Sequence, residues 1–436
     1  MKLLVYSHKL SNRLKYVVNL FFKDLGKLDV ELTMDKTQFD EYEGPKLTYS
    51  YRTRENSLFL KCNDLLFETG IKDHPVRTFP WNNSVAFFET DNTSDVPFDC
   101  FAAAFFLVTR YEEYLPHIRD HYDRFDAQMS LAYKNDFLDK ALVNRWANYL
   151  FDLLEQRFPS LKIERLQYEV KTTIDIDNAY AYLEKGLMRT AGGLAKSLFS
   201  FNFKELTERI QVLTGIKKDP YDSYDYQKAM HEKWKIPFIY FFLLADYGVN
   251  DKNIPYHSAR FQRLIKSLTD FGIAGIHPSF GSNSNPRKLE KEIERLSGIV
   301  NREVKHSRQH FLKLHLPDTY RRLIELGIEN DYTMGYAFRP GFRAGIASPY
   351  YFYDIDMEME TSLKVHPFAV MEGTIKYYMK LGPESAMEVM RPLVDEVKQV
   401  GGTFISLWHN DSISETDLWK GWRGIFEELH EYAIQK

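Results

Sequence analysis

The chain has 436 residues, 44% hydrophobic and 27% charged, enough to bury a full core in two domains or one large one. A net charge of −4 removes the electrostatic case for a nucleic-acid binder. Two cysteines, Cys62 and Cys100, provide neither a disulfide framework nor a thiolate metal site.

The opening Met1-Lys2-Leu3-Leu4-Val5-Tyr6 reads as a short strand, too short and too soon polar for a signal peptide. Apolar runs at residues 101–108 and 236–245 fall short of the roughly 20 residues of a membrane span, so the expectation is a cytoplasmic protein with no span. Residues 12–25 form an amphipathic helical pattern, residues 57–60 a strand, and residues 98–114 and 144–158 further helices, the last ended by Pro159. Within this stretch His117 and His121 stand four apart, a metal-ligand spacing if helical; a solvated turn after Pro116 is the preferred reading. The first 165 residues are α/β in pattern without a chemical signature.

Beyond residue 165 short apolar strands alternate with helical segments, as in parallel β/α units. Strands are expected at residues 169–176, 237–244, 272–277, 303–308, 328–333, 362–365 and 403–409. Helices are expected at 258–270, 287–301, 317–326 and 384–400, with a helical insertion at about 179–235 placed to act as a lid, a substrate wall or a packing element. Seven such repeats imply a barrel or a doubly wound sheet.

The most informative stretch is Thr173-Ile174-Asp175-Ile176-Asp177-Asn178, where two carboxylates two residues apart share a strand face about 7 Å apart. One can bind a metal while the other handles a proton. His277, Arg308 with His310, and His409 also fall at or just past the C-terminal ends of expected strands, where parallel α/β folds gather their sites.

These motifs resemble, in order and approximate spacing, those of the polysaccharide deacetylases of carbohydrate esterase family 4, which share the NodB homology domain. The matching residues are Thr173-Ile174-Asp175-Ile176-Asp177, Ile276-His277-Pro278-Ser279, Ser307-Arg308-Gln309-His310-Phe311 and Ile405-Ser406-Leu407-Trp408-His409. The resemblance covers roughly residues 166–436. It implies an α/β fold, a distorted (β/α)7 barrel, preceded by a smaller α/β domain at residues 1–165. That first part, with Arg110-Tyr111-Glu112-Glu113-Tyr114, is similar to a domain of unknown role in Bacteroidetes-like members.

The resemblance implies a hydrolase that removes acetyl groups from an N- or O-acetylated glycan or sugar precursor, using a divalent metal, with zinc the expected ion. Asp177 and His277 would hold the metal. The family's second histidine would fall at Gly281, so His310 is the expected substitute. Asp175 would act as base, His409 as acid, and Arg308 would keep Asp175 ionised. Asn178, Ser279, Phe311, Arg339, Arg343 and Trp408 are expected at the substrate, Phe311 through its backbone N–H. The loop Gly335-Tyr336-Ala337-Phe338-Arg339-Pro340-Gly341-Phe342-Arg343 is either a sugar-binding rim or an arginine-stapled turn, and His366 and Glu372 are further pocket candidates. Two other readings stay open: a glycosyltransferase gripping a metal-bound nucleotide sugar with Asp175-Ile176-Asp177, and a glycan-binding protein without turnover.

Overall fold

The computed structural model describes residues 1–435. A first parallel sheet has the order β2-β1-β3-β4, from β1 (Leu3–Ser7), β2 (Val30–Thr33), β3 (Lys46–Ser50) and β4 (Leu58–Lys61). All five residues of β1 are buried, as expected of a strand covered on both faces. The helix Asn12–Asn19 starts where the Ser11 side chain accepts from the Leu14 N–H, and it continues into a wider π-helical turn, Leu20–Leu25. A hairpin of β5 (Thr78–Trp81) and β6 (Ser84–Phe87) turns at Asn82-Asn83, both with positive φ, a geometry asparagine tolerates.

The helix Cys100–Val108 is buried at every residue, because it lies between the first sheet and the rest of the chain. Leu107 packs against Gly345, where φ is +63° and a Cβ would come within 2.7 Å of the Leu107 side chain. Beside it, Glu113 accepts from Arg110 and, in a two-point contact, from Arg343 at 2.9 and 2.6 Å. Asn144 to Ser348 and Arg145 to Glu396 extend this contact. One apolar core therefore runs through both halves of the chain.

The second sheet is built from β7 (Glu169–Ile176), β8 (Phe238–Phe242), β9 (Ile273–Ile276), β10 (His306–Ser307), β11 (Asn330–Asp331), β12 (Tyr350–Asp354), β13 (Met359–Val365), β14 (Val370–Met371) and β15 (Thr403–His409). Its order is β12-β13-β11-β10-β9-β8-β7-β15-β14, parallel throughout except for β12. Of the expected distorted (β/α)7 barrel the structure shows the mixed α/β, largely parallel sheet; nine strands form the ladder, and β12 and β14 do not pair with each other among the described residues. Three helices, Leu187–Phe199, Phe203–Leu213 and Tyr224–Trp234, run between β7 and β8. Among the described residues no helix is long and apolar enough to cross a membrane.

Register is what builds the site. His409 lies level with Asp175 across β15 and β7, and Ser307 level with Ile276 across β10 and β9. The residues that follow these positions therefore emerge together at one rim of the sheet.

Candidate metal centre and active site

A cavity of about 340 Å³ opens at that rim, in the range of small-ligand sites. Asp175, Asp177, His277, His310 and His409 all line it. Asp177 opens onto the cavity with 35% of its side chain accessible, whereas Asp175 is 2% exposed.

One ligating atom each from Asp177, His277 and His310 lies within 4.8 Å of the other two. The Nε2 of His277 is 3.2 Å from Asp177 Oδ1, and that of His310 is 3.4 Å from Oδ2. The tautomers follow from the partners behind each ring. His277 Nδ1 is 2.6 Å from the Arg308 carbonyl oxygen, which can only accept, so Nδ1 carries the hydrogen. His310 Nδ1 donates in the same way to Asp251 at 2.9 Å. Both Nε2 atoms then face Asp177 and would act as lone-pair donors to a cation seated among them, in the outer-partner arrangement usual for metal-ligating histidines. Asp177 Oδ1 is buried without a well-formed hydrogen bond despite its closeness to His277. A set of two imidazoles and one carboxylate with an unpartnered oxygen fits a divalent cation of the zinc class that keeps an open coordination position.

Electrostatics point the same way. Burial alone would raise the Asp177 carboxyl, but His310 and His277 hold it well below the usual carboxylate range. Burial opposes charge on His310, yet Asp177 and Asp251 on either side push its imidazole up to about 9. The negative field responsible is one a cation would neutralise.

Asp175 faces a different partner. Arg308, fully buried, donates to Asp175 Oδ1 at 3.0 Å and to Thr173 Oγ1 at 2.7 Å, while its Nε donates to the Tyr332 carbonyl. The rings of Phe241 and Phe368 flank the guanidinium. Among the described residues Arg308 Nη2 has no hydrogen-bond partner.

Across the cavity, His409 donates from Nδ1 to Glu372 at 2.8 Å, and its Nε2 stands 4.0 Å from Asp177 Oδ2. Glu372 is wholly buried and also accepts the His409 backbone N–H. Burial would lower the His409 imidazole, but Glu372, with Asp177 and Asp175 beyond it, raises it well above the usual histidine range. Asp411, held by the Trp419 indole N–H, also lines the cavity, and its burial pushes the carboxyl up to about 6.

The remaining expected substrate residues divide. Asn178 and Phe311 line the cavity, Asn178 held by Lys185. Phe311 and Leu312 adopt positive φ of 61° and 56°, and Arg124 from the first half of the chain donates to the Phe311 carbonyl at 2.9 Å and to the Tyr378 hydroxyl at 3.1 Å. Ser279 lies below the cavity, with its N–H on Glu292 and its hydroxyl accepting from the Ser282 N–H. Trp408 points to the opposite face of β15, fully buried against Phe426. Arg343 is engaged by Glu113 and the Gly335 carbonyl, which makes the glycine-rich loop an arginine-stapled turn at this position. Arg339 is half-buried beside Phe338, outside the cavity wall. His366 stacks on Tyr332 and bonds Asn330, and His117 bonds the Leu115 carbonyl, so neither joins the centre.

Asp251, Glu372 in its role behind His409, and Arg124 were not assigned from the sequence. Asp251 sits in the polar loop after β8 and Arg124 about 50 residues before β7, and neither has a motif around it.

Comparison with known proteins identifies one family and several structures. Residues 3–159 match a family of unknown function (DUF7033). No curated protein matches the chain. The chain is similar to a Mycobacterium smegmatis protein described as a polysaccharide deacetylase, with 14% identity over 61% of this chain and 84% of the other, at a TM-score of 0.39. It is similar also to the carbohydrate deacetylase Agd3, with 8% identity over 100% and 83% of the two chains, TM-score 0.39. A third is a CE4 family pseudoenzyme from Bacillus anthracis, with 11% identity over 60% and 61%, TM-score 0.29. At these identities and scores the chemistry has to be argued from the residues themselves.

Proposed function

We propose that this protein is a metal-dependent hydrolase of the polysaccharide deacetylase type, removing acetyl groups from an N- or O-acetylated glycan or sugar. The observation that carries the reading is the convergence on one cavity of three differently supported groups: the Asp177-His277-His310 cluster, the Asp175–Arg308 pair and the Glu372–His409 pair. A divalent cation held by Asp177, His277 and His310, with zinc the first choice, would supply Lewis acidity and acidify a water towards a pKa of about 7.

The chain's own residues would perform the proton transfers. Asp175, held in place by Arg308, accepts the proton from the attacking water. His409, kept protonated by Glu372, donates from Nε2 to the departing amine or alcohol. Arg308 and Glu372 are positioning residues, since both are buried behind the groups they orient. The aromatic rings of Tyr221 and Tyr377 on the cavity wall suit the faces of a pyranose.

The glycosyltransferase reading needs Asp175 and Asp177 on one cation. Asp175 is buried and bound to Arg308, and that reading gives Glu372–His409 no task. The direct test is anomalous scattering from crystals grown with zinc, paired with acetate release from acetylated chito-oligosaccharides. A peak bounded by Asp177, His277 and His310 together with acetate release supports the proposal; a peak elsewhere refutes it.

A further inference from the structure

The insertion between β7 and β8 carries a feature that the proposed reaction does not use. Its first two helices, Leu187–Phe199 and Phe203–Leu213, pack on each other as a hairpin, yet Ser197 and Val212 are their only buried residues. The apolar side chains face outward instead. Leu187 is 91% exposed, and the turn of the hairpin presents Phe199, Phe201 and Phe203 at 81, 78 and 59%. Met188, Ile210 and Ile216 add to the same exposed set. Isolated exposed leucines are ordinary, but three phenylalanines at alternate positions of one turn, with aliphatic residues along both helices, form a patch that water disfavours.

Charge identifies what covers it. The hairpin, residues 187–213, contains four lysines and arginines against two glutamates, in a chain whose net charge is −4. Lys196 makes no ion pair among the described residues, and Lys204 reaches only the fully exposed Asp417. A two-fold contact between copies of this chain would set two such cationic hairpins against each other. An anionic surface would be complementary to both the cations and, beneath its headgroups, the phenylalanines.

We infer that the Leu187–Leu213 hairpin is an interfacial membrane anchor that adsorbs to anionic phospholipid, with Phe199, Phe201 and Phe203 entering the headgroup–acyl boundary and Lys196 and Lys204 meeting lipid phosphates. Insertion is shallow: each helix is too short to span a bilayer. The inference is independent of the hydrolytic chemistry.

The test is cosedimentation of the full chain with vesicles of phosphatidylcholine alone or with about one third phosphatidylglycerol, at about 0.1 M and about 0.5 M salt. The chain is expected to sediment with the anionic vesicles at low salt and roughly tenfold or more weakly with the neutral ones. The triple variant Phe199→Ser/Phe201→Ser/Phe203→Ser should lose roughly tenfold or more in partitioning, and Lys196→Glu/Lys204→Glu should lose the preference for anionic lipid. The second variant alters only exposed charges, so it decides the matter if the first fails to fold. A chain that remains in the supernatant with anionic vesicles overturns the inference, as do variants that bind like the parent. A dimer seen by light scattering that the serine variant dissociates, without vesicle binding, reassigns the patch to a second copy and overturns it equally.

Discussion

Asp251 gives the sharpest test of the metal centre, because it touches the cluster only from behind. Its Oδ1 accepts from His310 Nδ1 at 2.9 Å and from the Phe280 N–H at 3.0 Å. Asp251→Asn can place an acceptor at the same point, so both hydrogen bonds and the His310 tautomer persist while the negative charge is lost. A hydrogen bond to a charged group contributes about 2 kcal/mol and a neutral one about 1, and the difference of about 1 kcal/mol corresponds to roughly fivefold in metal affinity. Asp251→Ala also frees the imidazole to carry its hydrogen on Nε2, where the cation would bind, and the expected loss rises to about 100-fold. Competition between apo protein and a chromophoric zinc chelator measures both. Saturating metal should restore acetate release in the asparagine variant, because Asp251 touches no reacting atom. Parent-like zinc affinity in both variants would remove His310 from the ligand set.

Asp175→Asn should retain zinc yet abolish acetate release, and His409→Ala should slow kcat on the order of 100-fold with little change in zinc affinity; parent-like rates would exclude either role. Arg124→Ala should raise KM by roughly tenfold more than it lowers kcat, since Arg124 steadies the positive-φ turn at Phe311 from outside the reacting groups. Burial would raise the Glu113 carboxyl, but Arg343 and Arg110 hold it down at about 2. Its folded value lies below the unfolded one of about 4.5, so its stabilisation, about 3 kcal/mol, is complete above pH ~4.5 and fades as pH falls towards ~2. Denaturation of the parent and of Glu113→Gln between pH 7 and 3 should show profiles that converge at low pH; parallel profiles would contradict the pairing.

β7, β8 and β15 were legible because each is an apolar run bounded by polar turns, and β7 and β15 fall where the pattern put them. β2 and β3 were not. Lys46 opens β3, and its ammonium turns back to the Phe39 and Asp40 carbonyls, a local escape no periodicity reveals. The antiparallel β12 was lost for a different reason: Tyr350-Tyr351-Phe352-Tyr353 follows a loop rich in glycine and arginine that drew a binding interpretation. Arg343 shows why that interpretation fails there. An arginine in a glycine-rich loop reads the same whether it awaits a ligand or an internal carboxylate, and Glu113, 230 positions away, decides it. Trp408 erred through parity, because a strand reverses its face at each residue and the neighbour of a cavity-lining His409 belongs to the opposite side.

Parity also accounts for the two aspartates at the end of β7. Asp175 is inside the ladder, level with His409 and Phe241, where a buried guanidinium and two aromatic rings enclose it. Asp177 lies one residue past the strand, where the backbone has left the sheet and the carboxylate reaches the cavity between two imidazoles. A spacing of two keeps both on one side, and the end of the strand between them gives each a separate environment. Had both stayed within the ladder, two buried carboxylates would share one arginine, and mutual repulsion would favour protonating one of them. With the pair divided, Arg308 partners one carboxylate and the cluster of His277 and His310 the other, so a base and a cation ligand can stand a few ångströms apart without sharing a partner.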